Sequence, residues 1–209
     1  MSEIKDISLQ VFLDQLASKA STPGGGSVAA IMGAQSAALT SMVCNLTLGK
    51  AKYAEVENDI RALLEKSEVL RDQLTRMIKA DIDVFNQLMA TYALPKETDE
   101  QKVIRSAEIQ KALREATEIP VACTRLCAEA IALSRVAAEK GNIGAISDAG
   151  VAAMAAYSGV KSAALNVYIN AASLKDREFA EAKLAELDQI LNGLDDDVEH
   201  IYQLVKNKL

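Results

Sequence analysis

The sequence predicts an all-α protein, a multihelical bundle built as a single domain over residues 1–209. Apolar residues recur at spacings of three and four along nearly the whole chain, and no alternating β-branched run of strand length stands out. Two long stretches, 27–48 and 147–174, are rich in alanine and almost free of charge, which suits helices packed closely at the centre of a bundle. With 209 residues, half of them hydrophobic (50%), the chain has enough apolar surface for one substantial core, and no low-complexity linker divides it.

Each element follows from local signals. A first amphipathic helix is expected over residues 7–20, ending before Ser21-Thr22-Pro23-Gly24-Gly25-Gly26-Ser27. Three glycines inside a helix would cost roughly 1 kcal/mol each relative to alanine. They therefore imply a loop that needs positive φ or a close approach of the backbone to another group. Ser27 stands where an N-cap would, ahead of Val28-Ala29-Ala30-Ile31-Met32, so an alanine-rich helix is predicted from Ser27 to Leu48, closed by Gly49.

A long helix is expected over residues 54–93, with Ile60, Leu63, Leu64, Leu70, Leu74, Met77, Ile78, Phe85, Leu88 and Met89 on one stripe and Pro95 beyond its end. Thr98-Asp99-Glu100-Gln101 has the form of a capping box and restarts the chain as helix. Pro120 either kinks that helix or begins another, which reaches Lys140. Gly141-Asn142-Ile143-Gly144 is a second loop, followed by the second alanine-rich helix over 147–174. A last amphipathic helix starts near Lys175, with Asn192-Gly193 and Asp195-Asp196-Asp197 marking a possible break.

Composition excludes several functions. The formal charge is −6, from 23 basic and 29 acidic residues, and no basic cluster appears, so no nucleic-acid partner is expected. The N-terminal residues lack the basic segment and apolar block of a signal peptide. Residues 27–48 are long enough to span a bilayer, yet they carry Ser27, Gln35, Ser36, Thr40, Ser41, Asn45 and Thr47. They are read as a buried helix, with no membrane role. Three cysteines, an odd number, fit a reduced cytoplasmic protein without disulfides. Cys123 and Cys127 share a helix face, but a zinc site needs two more ligands and the single histidine, His200, lies in a polar helix. They are read as core residues, and no metal is expected.

Candidate site residues are ionisable or amide groups out of place on apolar faces. Asp81 follows Leu74, Met77 and Ile78 by seven, four and three residues and precedes Phe85 and Leu88 by four and seven. Its carboxylate is therefore expected on the buried face, whereas Asp83 points about 200° away into solvent. A buried carboxylate beside a lysine is either a general base or half of a structural ion pair. Lys50, the first charge after the neutral run, either points into the cleft of the glycine loop or is a solvated residue after a helix C-terminus. Asn45 flanks the same turn. Asp148 suits a helix N-terminus, where it is either a capping residue or a site group. Asn166 and Asn170 lie four apart on one helical face and bind either a heterocycle's polar edge or a neighbouring helix. The bare N–H groups of Gly24, Gly25, Gly26 and Ser27 offer a place for an anionic or carbonyl-bearing ligand, or form a plain turn.

Together these residues resemble the stand-alone methenyltetrahydrofolate cyclohydrolases and the cyclodeaminase domain of formiminotransferase-cyclodeaminase. The resemblance covers essentially the whole chain. Its marks are Pro23-Gly24-Gly25-Gly26-Ser27, the Ser41–Lys50 segment, Asp81 with Phe85, Leu94-Pro95-Lys96, Ile146-Ser147-Asp148-Ala149-Gly150-Val151 and Leu165-Asn166-Val167-Tyr168-Ile169-Asn170. It implies an all-helical homodimer that binds a reduced folate as substrate and uses no separate cofactor. The aspartate of the cyclodeaminase domain corresponds to Asp81.

In length and in the Ser41–Tyr53 segment the chain looks most like the stand-alone cyclohydrolases. The resemblance then implies hydrolysis of 5,10-methenyltetrahydrofolate, with Asp81 as base and Lys50 as its acidic partner. Gly24, Gly25, Gly26, Ser27, Asn45, Asp148, Asn166 and Asn170 would hold the substrate. A cyclodeaminase releasing ammonia and a non-catalytic helical folate-binding or scaffold protein are the alternatives.

Overall fold

The computed structural model describes residues 3–209, and all of its regular structure is helical. Seven α-helices follow in order: α1 (Leu9–Leu16), α2 (Gly25–Asn45), α3 (Glu57–Tyr92), α4 (Asp99–Lys140), α5 (Ile146–Ser173), α6 (Arg177–Leu191) and α7 (Leu194–Lys206). Short 3-10 turns precede α1, α3 and α5.

The uncharged α2 is the axial element and packs against α3, α4 and α5, while α6 and α7 lie against α4 and α5. Glycine makes the central crossing possible. A Cβ on Gly159 of α5 would stand 3.0 Å from the Ala29 carbonyl oxygen and 2.9 Å from Cys127 Sγ of α4. One on Gly33 of α2 would meet Cys127 Sγ at 2.7 Å and Leu74 Cδ2 of α3 at 2.8 Å. Small residues on both alanine-rich helices thus bring four helices to one crossing. Cys44, Cys123 and Cys127 are all free and buried, as expected of core residues. Burial pushes the Cys44 thiol up to about 11, which keeps it protonated at neutral pH.

The punctuation marks act much as the sequence indicates. Thr98 and Gln101 form the reciprocal capping box of α4. Gly49 closes the turn after α2 with φ +73°, and Gly193 breaks the last helical segment in two with φ +78°. Three expectations need correction. The first helix is shorter than predicted, because Ser8 caps it at one end and the Ala17–Gly24 loop takes the other. Pro120 does not divide α4, a single helix of 42 residues. Proline has no N–H to give the carbonyl four residues back, and Asn170 Nδ2 from α5 donates to that oxygen, Ala116 O, at 2.7 Å instead. Finally, α2 begins at Gly25 with Gly24 as N-cap, so Ser27 sits inside the first turn.

By length and composition α2 and the Ile143–Ser173 segment match membrane-spanning helices, but about half of each apolar window (56% and 50%) is buried inside the bundle. The outer side of these helices carries exposed apolar side chains among polar ones such as Gln35 and Lys161. On α5 it carries Val151 (55% exposed), Leu165 (68%) and Ile169 (66%), and on α2 Met42 and Leu46.

Candidate active site

Asp81 is held at the N-terminus of α2. Ser27 Oγ donates to Asp81 Oδ2 at 2.8 Å, and the Ser27 backbone N–H donates to the same carboxylate. Gly24 has no side chain with which to cap α2, so a carboxylate from α3 supplies the acceptor that the first turn lacks. The approach is close: a Cβ on Gly26 would fall 2.0 Å from Asp81 Oδ1, whereas one on Gly25 would meet nothing within 4 Å. None of Gly24, Gly25 and Gly26 has positive φ. Close approach thus accounts for glycine at Gly26 alone, and the anion held at this helix N-terminus is the protein's own Asp81.

The carboxylate has no lysine beside it, contrary to expectation; among the described residues it makes no ion pair. Lys79 pairs with Asp83 on the exposed side of α3. Burial raises the Asp81 pKa above the ordinary carboxylate value, and the two Ser27 donors offset this only in part.

Beside Asp81 opens a cavity of about 300 Å³ between α3, α4 and α5. Phe85, Leu88 and Tyr92 of α3, Leu113 and Pro120 of α4, and Ile169 of α5 supply apolar or aromatic wall. Its polar lining includes Asp81, Asn166 and Asn170, with no lysine, arginine or histidine. Asn166 Nδ2 donates to Ser162 O at 3.0 Å, one turn back on α5, and Asn170 Nδ2 is engaged by Ala116 O. Asn170 therefore bridges two helices and lines the cavity as well. Leu113, Pro120 and Tyr92 were not foreseen. Pro120 had been read only as a helix signal, and no local pattern shows that its turn faces a cavity.

The remaining candidates lie elsewhere. Gly24, Gly25, Gly26 and Ser27 do not line the cavity; Gly26 and Ser27 stand behind Asp81. At about 1.5 Å per residue the 21-residue α2 is about 30 Å long, so Asn45 and Lys50 lie far from Ser27 at its other end. Asp148 belongs to that end too. Asn142, which leads into α5, donates its backbone N–H to Thr47 Oγ1 (2.8 Å) and its Nδ2 to Leu46 O (2.8 Å). Tyr53 Oη donates to Asn142 Oδ1 (3.2 Å) and accepts from the Ile143 N–H (2.9 Å). This knot joins the two glycine-containing turns, and Lys50 stands exposed at its edge. A larger, more open cleft of about 440 Å³ lies here, lined by Lys52, Glu55, Lys140 and Lys208 among others. Its charges are mixed and Asp81 does not reach it.

The family model for formiminotransferase-cyclodeaminase matches residues 8–189. The chain belongs to that family. Within it, the chain is 56% identical over 202 residues to a methenyltetrahydrofolate cyclohydrolase of Methylorubrum extorquens, covering 97% of both chains. It is 32% identical over 186 residues to the formimidoyltransferase-cyclodeaminase of Rattus norvegicus, covering 89% of this chain and 34% of that longer protein. The crystal structure of a formiminotetrahydrofolate cyclodeaminase from Thermotoga maritima superposes with a TM-score of 0.83 at 31% identity, over 99% of this chain and 98% of the other. The all-helical arrangement is therefore that of a solved family member.

Proposed function

We propose that this cyclodeaminase-family chain is a cytoplasmic hydrolase that converts 5,10-methenyltetrahydrofolate to 10-formyltetrahydrofolate. The observation that carries the reading is the cavity itself: a half-buried carboxylate, aromatic walls and no basic residue. Such a pocket suits a flat cation, and the methenyl carbon of this substrate lies in an amidinium ring. It disfavours a ligand whose reacting part is anionic. The 56% identity to a protein named for this activity, over nearly all of both chains, points the same way.

The chemistry asks little of the protein. Water oxygen forms a bond to the methenyl carbon while Asp81 takes the departing proton. As the C–N5 bond of the tetrahedral adduct breaks, its hydroxyl loses the second proton to form the carbonyl, N5 takes up one proton, and the formyl group stays on N10, with one proton released overall. General acid–base help of this kind is worth about 10²–10⁴-fold. A carboxylate whose pKa is raised by burial is a better base than one in water, and its charge stabilises the bound cation until attack.

The acid is the protein's less obvious part. Lys50 is a full α2 length from Asp81 within one chain, but a homodimer removes that distance. We assign the outer side of α2 and α5, with its exposed apolar residues, to a second copy, because the cavity rim residue Ile169 belongs to the same side. A second copy packed antiparallel along α2 would set its Lys50 end beside the Gly26 end, where Asp81 is held. Such a dimer would bring the Asn45–Lys50 turn of one subunit near the Asp81 of the other.

The decisive assay offers the purified protein 5,10-methenyltetrahydrofolate and 5-formiminotetrahydrofolate separately, following methenyl absorbance and ammonia. Bleaching of the methenyl chromophore with no comparable ammonia release is expected. Faster ammonia release would make the chain a cyclodeaminase, and binding without turnover of either would leave a folate-binding scaffold.

A further inference from the structure

The two asparagines of the cavity have their amide nitrogens occupied. Asn166 Nδ2 donates to Ser162 O at 3.0 Å, and Asn170 Nδ2 donates to Ala116 O at 2.7 Å. A carboxamide turned the other way would set two carbonyl oxygens against each other, so both orientations are fixed by the backbone. Asn170 is fixed most firmly, since Ala116 O lost its helical partner to Pro120 and lies between two helices. In each case Oδ1, with two lone pairs, is the end left for a ligand. Together with the Asp81 carboxylate, the polar lining is rich in acceptors, and no cationic side chain competes for them.

Resting on the folate reading above, we propose that Asn166 and Asn170 determine specificity by reading the hydrogen-bond donor edge of the pterin through their Oδ1 atoms. In 5,10-methenyltetrahydrofolate neither N5 nor N10 carries a hydrogen. The donors are the 2-amino group, N3–H and N8–H, all on the pterin, and the amide N–H of the tail. An acceptor-rich wall beside Phe85 therefore selects the bicyclic ring, which stacks its face while its 2-amino and N3–H groups meet the asparagine oxygens. The cavity of about 300 Å³ lies at the lower end of small-molecule sites, roughly 300–1,000 Å³, so the ring system is enclosed and the tail leads outward. The bound ring is then held by its far edge, leaving the methenyl carbon toward Asp81.

The test pairs a change in the ligand with a change in the protein. The substrate is compared with its analogue in which a methyl group replaces the 2-amino group, in the wild type, Asn166→Leu and Asn166→Asp. In the wild type the analogue is expected to lose about tenfold or more in kcat/KM, mostly through KM. Asn166→Leu should shrink that ratio to within about twofold, because the acceptor that senses the amino group is gone. Asn166→Asp keeps an acceptor and should keep the discrimination. Both substitutions remove the bond to Ser162 O, so a merely structural asparagine would make the two variants behave alike, and that outcome overturns the proposal. Equal use of substrate and analogue by the wild type also overturns it while leaving the folate reading intact. Failure of the wild type to act on either compound overturns both.

Discussion

The two ends of α2 are made from the same parts, a glycine turn, small hydroxyl residues and one nearby charge, yet they are organised in opposite ways. At the N-terminal end the charge is drawn in: Asp81 is half-buried against Gly26 and Ser27, makes no ion pair among the described residues, and faces a cavity. At the C-terminal end the polar groups satisfy one another. Thr47, Tyr53 and Asn142 form a closed hydrogen-bonded knot, and Lys50 is left outside in solvent. What sets the Asp81 end apart is a half-buried charge with no ion pair beside a cavity, and this makes it the candidate working end. A saturated network at the other end builds a rigid mount, from which a lysine can serve a neighbouring subunit.

The sharpest way to break that comparison is at the carboxylate. Asp81→Asn is expected to lower kcat by about 10²–10⁴-fold while the circular dichroism spectrum is unchanged. Asn still accepts from Ser27, so the cap on α2 survives. Because folding raises the Asp81 pKa, the folded protein binds that proton more tightly than the unfolded chain. Stability from this group is therefore present at low pH and is lost as pH rises through the interval between the unfolded and folded values. At neutral pH the Asn variant should melt at or above the wild-type temperature. Asp83→Asn, which breaks only the exposed pair with Lys79, should be nearly silent in both assays. Equal losses in the two variants would remove Asp81 from the chemistry.

Glycine gives the next contrast. Gly26→Ala places a methyl group 2.0 Å from Asp81 Oδ1, and the carboxylate must swing away from Ser27. A loss of about 10–100-fold in kcat/KM is expected, since small misplacements of a catalytic group carry costs of that order. Gly25→Ala meets open space and should retain near wild-type activity, unless the partner subunit fills that space. A silent Gly26→Ala would show that the contact at Gly26 does not position the carboxylate.

The assignment of Lys50 to a partner's cavity makes a quantitative prediction. Lys50→Met and Asp81→Asn should each be impaired alone. Mixed and allowed to exchange subunits, they should regain roughly a quarter of wild-type activity, because half the dimers are mixed and each mixed dimer has one intact site. No recovery in mixtures that demonstrably contain mixed dimers would confine the site to one chain and remove Lys50 from it.

Much of this was legible in the sequence. Helix periodicity exposes Asp81, since an acidic residue on the stripe of Leu74, Ile78 and Leu88 conflicts with its surroundings. The capping box and the helix breaks at Gly49 and Gly193 are equally local. What the sequence misassigned depends on distant partners. Ser27 looked like a cap because nothing nearby shows that α3 caps α2 across 54 residues of chain. Asn170 could be read as a ligand contact or as a helix bridge, and the bridge to Ala116 O follows from a proline on another helix. The resemblance groups Asn45, Lys50 and Asp148 with Asp81, yet within one chain α2 lies between them, and spacing along a sequence does not show which end faces a cavity.

The smallest expected effect tests the electrostatics of the working end. Ser27 Oγ is a donor that lowers the Asp81 pKa, while burial raises it more. Ser27→Ala removes the side-chain donor and leaves the backbone N–H, so the Asp81 pKa should rise further. A base works only when deprotonated, so the acid limb of kcat/KM should move to higher pH. The plateau at higher pH should fall less than the rate at low pH, because the deprotonated fraction recovers there and only the positioning bond is missing. Ser27→Thr keeps a hydroxyl and should return the limb toward its wild-type position if the added methyl is accommodated. A limb that stays in place in Ser27→Ala, with a uniformly lower rate, would mean that Ser27 only positions Asp81 and that another group's titration governs the limb.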